Sequence, residues 1–150
     1  MTPANCMRSL EEFRYRIRRF LDFSRRAARA AGLAPQQHQM LLVIAGGPAE
    51  TGSSIRLLAD RLYLNHNSTV ELLNRLERQG MVRRIRKPED RRQVGVRITR
   101  GGQRVLARLT RHHLTELRTA GPELVRALQA AIAGARRAPR SRARSRGGKR

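Results

Sequence analysis

The chain has 150 residues, enough for one hydrophobic core and too few for two large ones. Its 33 Lys and Arg against 11 Asp and Glu give a formal charge of +22, which points to a polyanionic partner such as nucleic acid or an acidic membrane face. Three Phe, two Tyr and no Trp are too few for the aromatic platforms on which single-stranded bases stack, so duplex DNA is the expected partner.

Residues 9–31 predict a first helix. Leu10, Phe13, Ile17, Phe20 or Leu21, and Ser24 recur at spacings of three and four, arginines fill the other faces, and Gly32 stops the run. Cys6 then precedes the helix. A second helix opens at Pro35, a residue suited to a first helical turn, and ends at Gly46-Gly47-Pro48. Its segment "MLLVIA" is apolar all round, which predicts a central position. Ser53 or Ser54 caps "IRLLADRL", whose Ile55, Leu58, Ala59 and Leu62 share one face. Tyr63 to Asn65 is the one break before a fourth helix, roughly His66 to Gln79, which buries Thr69, Leu72, Leu73 and Leu76 and closes at Gly80. Two short helices about a tight turn suggest a helix-turn-helix.

The period then changes. "MVRRIR" and "VGVRIT" alternate apolar and polar residues, and Pro-Glu-Asp between them is turn chemistry, predicting a hairpin over about 82–99. Thr99 caps the next helix, where Val105, Leu106, Leu109, His113 or Leu114, and Leu117 recur up to Gly121. A last helix starts at Pro122, with Ala120-Gly121-Pro122 as a corner where it folds back. From Arg136 onward there are eight cations, no acid and nothing apolar beyond Ala and Pro, so this tail is expected to be disordered. Removing its eight charges from +22 leaves +14 on residues 1–135, so the remainder is itself basic.

An α-helix fits the major groove, and the second helix of a helix-turn-helix enters it. With Asn67 at zero angle, Glu71, Asn74 and Arg78 fall within about 40° of it and the leucines fall opposite. His66, Asn67 and Ser68 occupy the first turn, where they serve as N-caps, base contacts or both. Asn bonds bidentately to adenine, and Glu accepts from cytosine N4. Val70 lies about 60° from the polar centre, either against thymine methyls or as a partly covered surface valine. Arg75 completes the candidate set on this helix. The hairpin adds a second contact, with Arg84, Arg86 and Lys87 on the approach and Arg91 and Arg92 placed to reach the adjacent minor groove. Between Arg83 and Arg100 there are eight cations and two acids.

The stretch "RLERQGMVRRIRKPEDRRQVGVRITRGGQ" resembles the signature of MarR-family transcriptional regulators. Arg75-Leu76-Glu77 and Gly80 end the recognition helix, Asp90-Arg91 stand at the tip of a two-stranded wing, and Ile98-Thr99 with Gly102 open a long helix. The resemblance runs in order over residues 9–135. It implies a fold mainly α with a small β-hairpin wing, a winged helix-turn-helix lobe joined to a helical dimerisation region. It also implies an obligate homodimer that binds pseudo-palindromic operators, commonly as a repressor released by a small molecule. The wing-tip acid, Asp90 here, would brace the hairpin while Arg91 enters the minor groove. An effector pocket would be lined from Phe13, Ile17, Phe20, Met40 and Ile44, residues that also suit an ordinary core; a small aromatic or phenolic effector is the class to test. The expected organisation is a dimerisation helix over 1–34, the DNA-binding lobe over 35–99, further dimerisation helices over 100–135 and the basic tail over 136–150. Apolar faces near both chain ends, too large for the central lobe to cover, argue independently for a two-fold partner.

No catalytic constellation is visible, and no cofactor is expected. His112 and His113 are neighbours about 100° apart on a helix and cannot share a metal; His38 and His66 stand alone, and there is no HExxH motif or Gly-rich phosphate loop. The lone Cys6 permits no intrachain disulfide. A redox-sensing regulator built on Cys6 is one alternative. A basic architectural protein that coats DNA with little sequence preference is the other. No apolar run approaches the roughly 20 residues of a membrane span and the N-terminus lacks signal-peptide order, so a cytoplasmic chain with no membrane partner is expected.

Overall fold

The computed structural model describes residues 3–86 and 94–137. In chain order the elements are α1 (Pro3–Ala30), α2 (Pro35–Ala45), β1 (Ser53–Ser54), α3 (Ile55–Leu62), α4 (His66–Arg78), β2 (Val82–Arg86), β3 (Val94–Ile98) and α5 (Arg100–Arg137). The chain divides into a central unit, Leu21–Glu116, and a terminal unit made of the residues up to Phe20 and those from Leu117 on.

The central unit closes over one core. Met40 and Leu41 of α2, Leu58 of α3, Leu73 and Leu76 of α4 and Val96 of β3 are all fully buried. Leu106 and Leu109 of α5 join them. Leu42 remains 41% exposed, so α2 is central on one side and not all round. The start of α2 is held by Gln37, whose Oε1 accepts from the Ala34 N–H at 2.8 Å while its Nε2 donates to Gln79 Oε1 at 2.9 Å. One buried amide thus caps α2 and ties it to the end of α4.

The sheet has three antiparallel strands in the order β1-β3-β2, where the sequence suggested a hairpin of two. Ser53 and Ser54 pair with Val96 and Gly95, and Ser54 also caps α3 by accepting from the Leu57 N–H at 3.2 Å. A strand of two residues has no alternation to read. The enabling residue is Gly95: a Cβ there would collide with the Thr51 carbonyl, so the neighbouring chain can close in only on a glycine.

Two further differences concern the long helices. Helix α1 begins at Pro3, not near residue 9, so Cys6 lies within it, half-buried, with its thiol 3.6 Å from the Gly134 carbonyl of α5. Proline suits a first turn because its missing N–H has no helical partner there. The expected corner at Ala120-Gly121-Pro122 is absent: α5 runs unbroken for 38 residues with Pro122 inside it. Glycine stops a helix by adopting a left-handed conformation, as Gly32 and Gly80 do here, and Gly121 does not. Proline alone removes one bond of the ladder and leaves the rest.

In the terminal unit Arg16 of α1 pairs with Glu12 at 2.6 Å and with Glu123 of α5. Leu10, Val125 and Ile132 in that unit are 44–53% exposed. The wing tip, Lys87 to Gln93, and the basic tail beyond Arg137 lie outside the described residues.

Candidate nucleic-acid interface

Helix α4 is set by its first turn. The cap is Asn65, one residue before the three proposed from sequence: its Oδ1 accepts from the Ser68 N–H at 2.8 Å. The buried Thr69 hydroxyl donates to the Asn65 carbonyl at 2.8 Å. His66, Asn67 and Ser68 are therefore not needed as caps. His66 and Asn67 are exposed and Ser68 is half-buried.

Beyond that turn, Glu71, Asn74, Arg75 and Arg78 are exposed, whereas Leu72, Leu73 and Leu76 face the core. Val70 is half-buried between the two faces. Glu71 is engaged by Arg75 one turn on, so this acid is presented as part of an ion pair. The result is a solvent-facing polar surface of amides, carboxylate and imidazole on a rigid helix, a surface able to donate and accept along a groove edge.

Arg84 of β2 turns back onto α4. Its guanidinium binds the Glu77 carboxylate and donates to Asn74 Oδ1 at 2.7 Å, and its backbone N–H reaches Glu77 Oε1 at 3.2 Å. The structure therefore joins Arg84 to Asn74, two residues proposed separately, through Glu77, which the sequence reading named only as part of the Arg75-Leu76-Glu77 end of the helix. The available signal was Glu77 itself, an acid seven residues before a strand arginine across the Gly80 turn. Arg86 is exposed at the end of β2. Lys87, Asp90, Arg91 and Arg92, and with them the proposed bracing of the wing tip, lie outside the described residues.

The base of the wing is locked to the start of α5. Thr99 Oγ1 accepts from the Gly102 N–H at 3.1 Å and donates to the Gly80 carbonyl at 2.6 Å, and the Thr99 N–H reaches the Met81 carbonyl at 2.9 Å. A Cβ at Gly102 would collide with the Met81 carbonyl, which explains a glycine inside a helical first turn. Of the proposed pocket residues, Phe13, Ile17 and Phe20 are half-buried on α1, while Met40 and Ile44 belong to the central core. Among the described residues no three His, Cys, Asp or Glu side chains cluster as metal ligands, and no helix is long and apolar enough to cross a membrane.

The family model for MarR matches residues 31–93, which span α2 to the wing. Over those residues the chain is similar to the MarR family of transcriptional regulators. It is 32% identical over 96 residues to a putative transcriptional regulatory protein for the hcr operon of Thauera aromatica. That alignment covers 64% of this chain and 56% of the relative, so the chain spans little more than half of that protein's length. Among solved MarR-fold structures, the transcriptional repressor CouR bound to a 23-mer DNA duplex is 26% identical, with a TM-score of 0.58 over 87% of this chain and 86% of its own. CouR from Rhodococcus jostii RHA1, bound to p-coumaroyl-CoA, is 21% identical, with a TM-score of 0.62 over 77% of this chain and 82% of its own.

Proposed function

We propose that the protein is a sequence-specific duplex DNA-binding transcriptional regulator, a homodimeric repressor that places α4 in the major groove and is released by a small molecule. The observation that carries the reading is the exposed polar face of α4, with Asn65 taking the cap so that His66 and Asn67 remain free at the leading end. The match to the MarR family model over residues 31–93 supports it, as does the likeness to the CouR repressor solved on duplex DNA. The exposed apolar side chains Leu10, Val125 and Ile132 on the helices of the terminal unit support a two-fold partner, since isolated soluble chains seldom leave such a face bare. The p-coumaroyl-CoA complex of CouR supports a small-molecule effector with an aromatic part.

The test is competition. Duplexes enriched by the full chain from a random pool should bind at least about 10³-fold more tightly than bulk DNA at the same salt. Equal affinity for both would favour the architectural reading, in which the +22 charge coats DNA without preference.

A further inference from the structure

Three helices of the central unit end in the same way. After α1, the Gly32 N–H bonds to the Arg29 carbonyl and the Leu33 N–H to the Ala28 carbonyl, each at 3.0 Å. After α4, Gly80 bonds to Glu77 and Met81 to Leu76, each at 2.9 Å. After α3, Tyr63 bonds to Asp60 at 3.4 Å and Leu64 to Ala59 at 3.0 Å. In each case the residue after the turn, Leu33, Met81 or Leu64, packs on the core. This ending requires a left-handed residue. The first two are glycines, with φ of +77° and +70°. The third is a tyrosine at φ +54°, ψ +40°, the one non-glycine residue with positive φ among the described residues.

A Cβ strains that conformation, and a bulky side chain strains it more than Asn or Asp would. The side chain does not repay the strain within the fold, because Tyr63 is 96% exposed. It stands instead in the turn of the helix-turn-helix, two residues before the Asn65 cap of α4. A phenol is apolar on its body and a hydrogen-bond donor at its tip, and tyrosine hydroxyls are among the groups that position proteins on phosphate oxygens.

We propose that Tyr63 is a DNA-positioning residue whose hydroxyl donates to a backbone phosphate beside the groove that α4 enters, fixing the depth and angle of that helix. The inference rests on the function proposed above and adds to it a contact that carries no charge. A neutral donor releases no counterion, so its loss weakens binding without altering the salt dependence, and equally for every sequence.

The experiment compares the full chain with Tyr63→Phe and Tyr63→Gly on two probes of about 30 base pairs, a mixed-sequence duplex and one enriched by the full chain, a length that spans two successive major-groove sites. Both variants should bind both probes about tenfold more weakly, with the parent's slope of log affinity against log salt. Tyr63→Gly should keep the parent's melting temperature, because relief of backbone strain and the added freedom of glycine in the unfolded chain are opposed and similar in size. Undiminished binding by Tyr63→Phe would overturn the hydroxyl contact, and a melting temperature lowered by several degrees in either variant would show that the side chain serves the fold instead. A parent chain that binds neither duplex would overturn the functional reading together with this one; a parent that binds normally alongside unimpaired variants would overturn this one alone.

Discussion

At the scale of single residues, the decisive feature of the candidate interface is a division of labour among arginines that composition cannot show. Arg84 looks from its sequence position like one more cation on the approach to the wing, yet it is bound to Glu77 and Asn74 of α4. Its charge is already paired, so its role is to hold β2 and Asn74 in place. Arg84→Ala should therefore cost about 1 kcal/mol in urea unfolding while the salt dependence of DNA binding stays as in the parent. An unchanged stability with a slope reduced by about 0.9 would mean that Arg84 contacts phosphate instead. A second residue-scale consequence concerns His38, which is 2% exposed, lies 4.8 Å between ring centroids from His113, and has no hydrogen-bond partner at Nδ1 among the described residues. The His113 Nδ1 donates to the Leu109 carbonyl at 2.7 Å, leaving its Nε2 to accept from the Ser24 hydroxyl at 2.8 Å. Burial, and then the neighbouring His113, holds the His38 imidazole below its usual range near 6.5. The unfolded chain accordingly takes up a proton there before the folded one does, so this stabilisation is complete above about pH 6.5 and is lost as the pH falls toward the folded-state value. Thermal melts between about pH 7.5 and 5.5 should show that decline, and His38→Phe, similar in shape and unable to titrate, should flatten it.

At the scale of elements, the interior was legible wherever side chains repeat. The face of α4 that carries Thr69, Leu72, Leu73 and Leu76 follows directly from their spacing, and so does the Thr99 start of α5. What was not legible depends on contacts distant in sequence. The strand β1 exists because Gly95 admits a neighbouring chain some forty residues earlier, and nothing local to Ser53 and Ser54 announces it. The Gly121-Pro122 pair failed in the opposite direction. Two residues with strong local preference for a break sit inside a continuous helix, because neither takes the left-handed conformation that ends one. In the interface, the exposure of His66 and Asn67 could be read from helical geometry, whereas the Asn65 cap and the Glu77 bridge could not. The unbroken course of α5 makes a testable claim. Pro122→Ala restores the missing N–H of an exposed interior position and should stabilise the protein by about 1–3 kcal/mol in chemical unfolding. A neutral or destabilising outcome would mean that the chain turns a corner there.

At the scale of the whole molecule, the charge and the polar face do different things. The +22 charge makes contact with polyanions strong and salt-dependent whatever their sequence, and much of it lies on arginines that no base contact needs. Under the proposed function, sequence preference would come from the few uncharged or paired groups that α4 presents, chiefly Asn67, Asn74 and the Glu71–Arg75 pair. Reading by these residues is the central claim. Its most direct test is selection from a random duplex pool by the full chain and, in parallel, by Asn67→Ala. The account predicts a two-fold symmetric motif with half-sites about one helical turn apart, and a relaxed preference at one position of each half-site in the variant, worth about 1–3 kcal/mol. An identical motif for both proteins, or no motif for either, would contradict it.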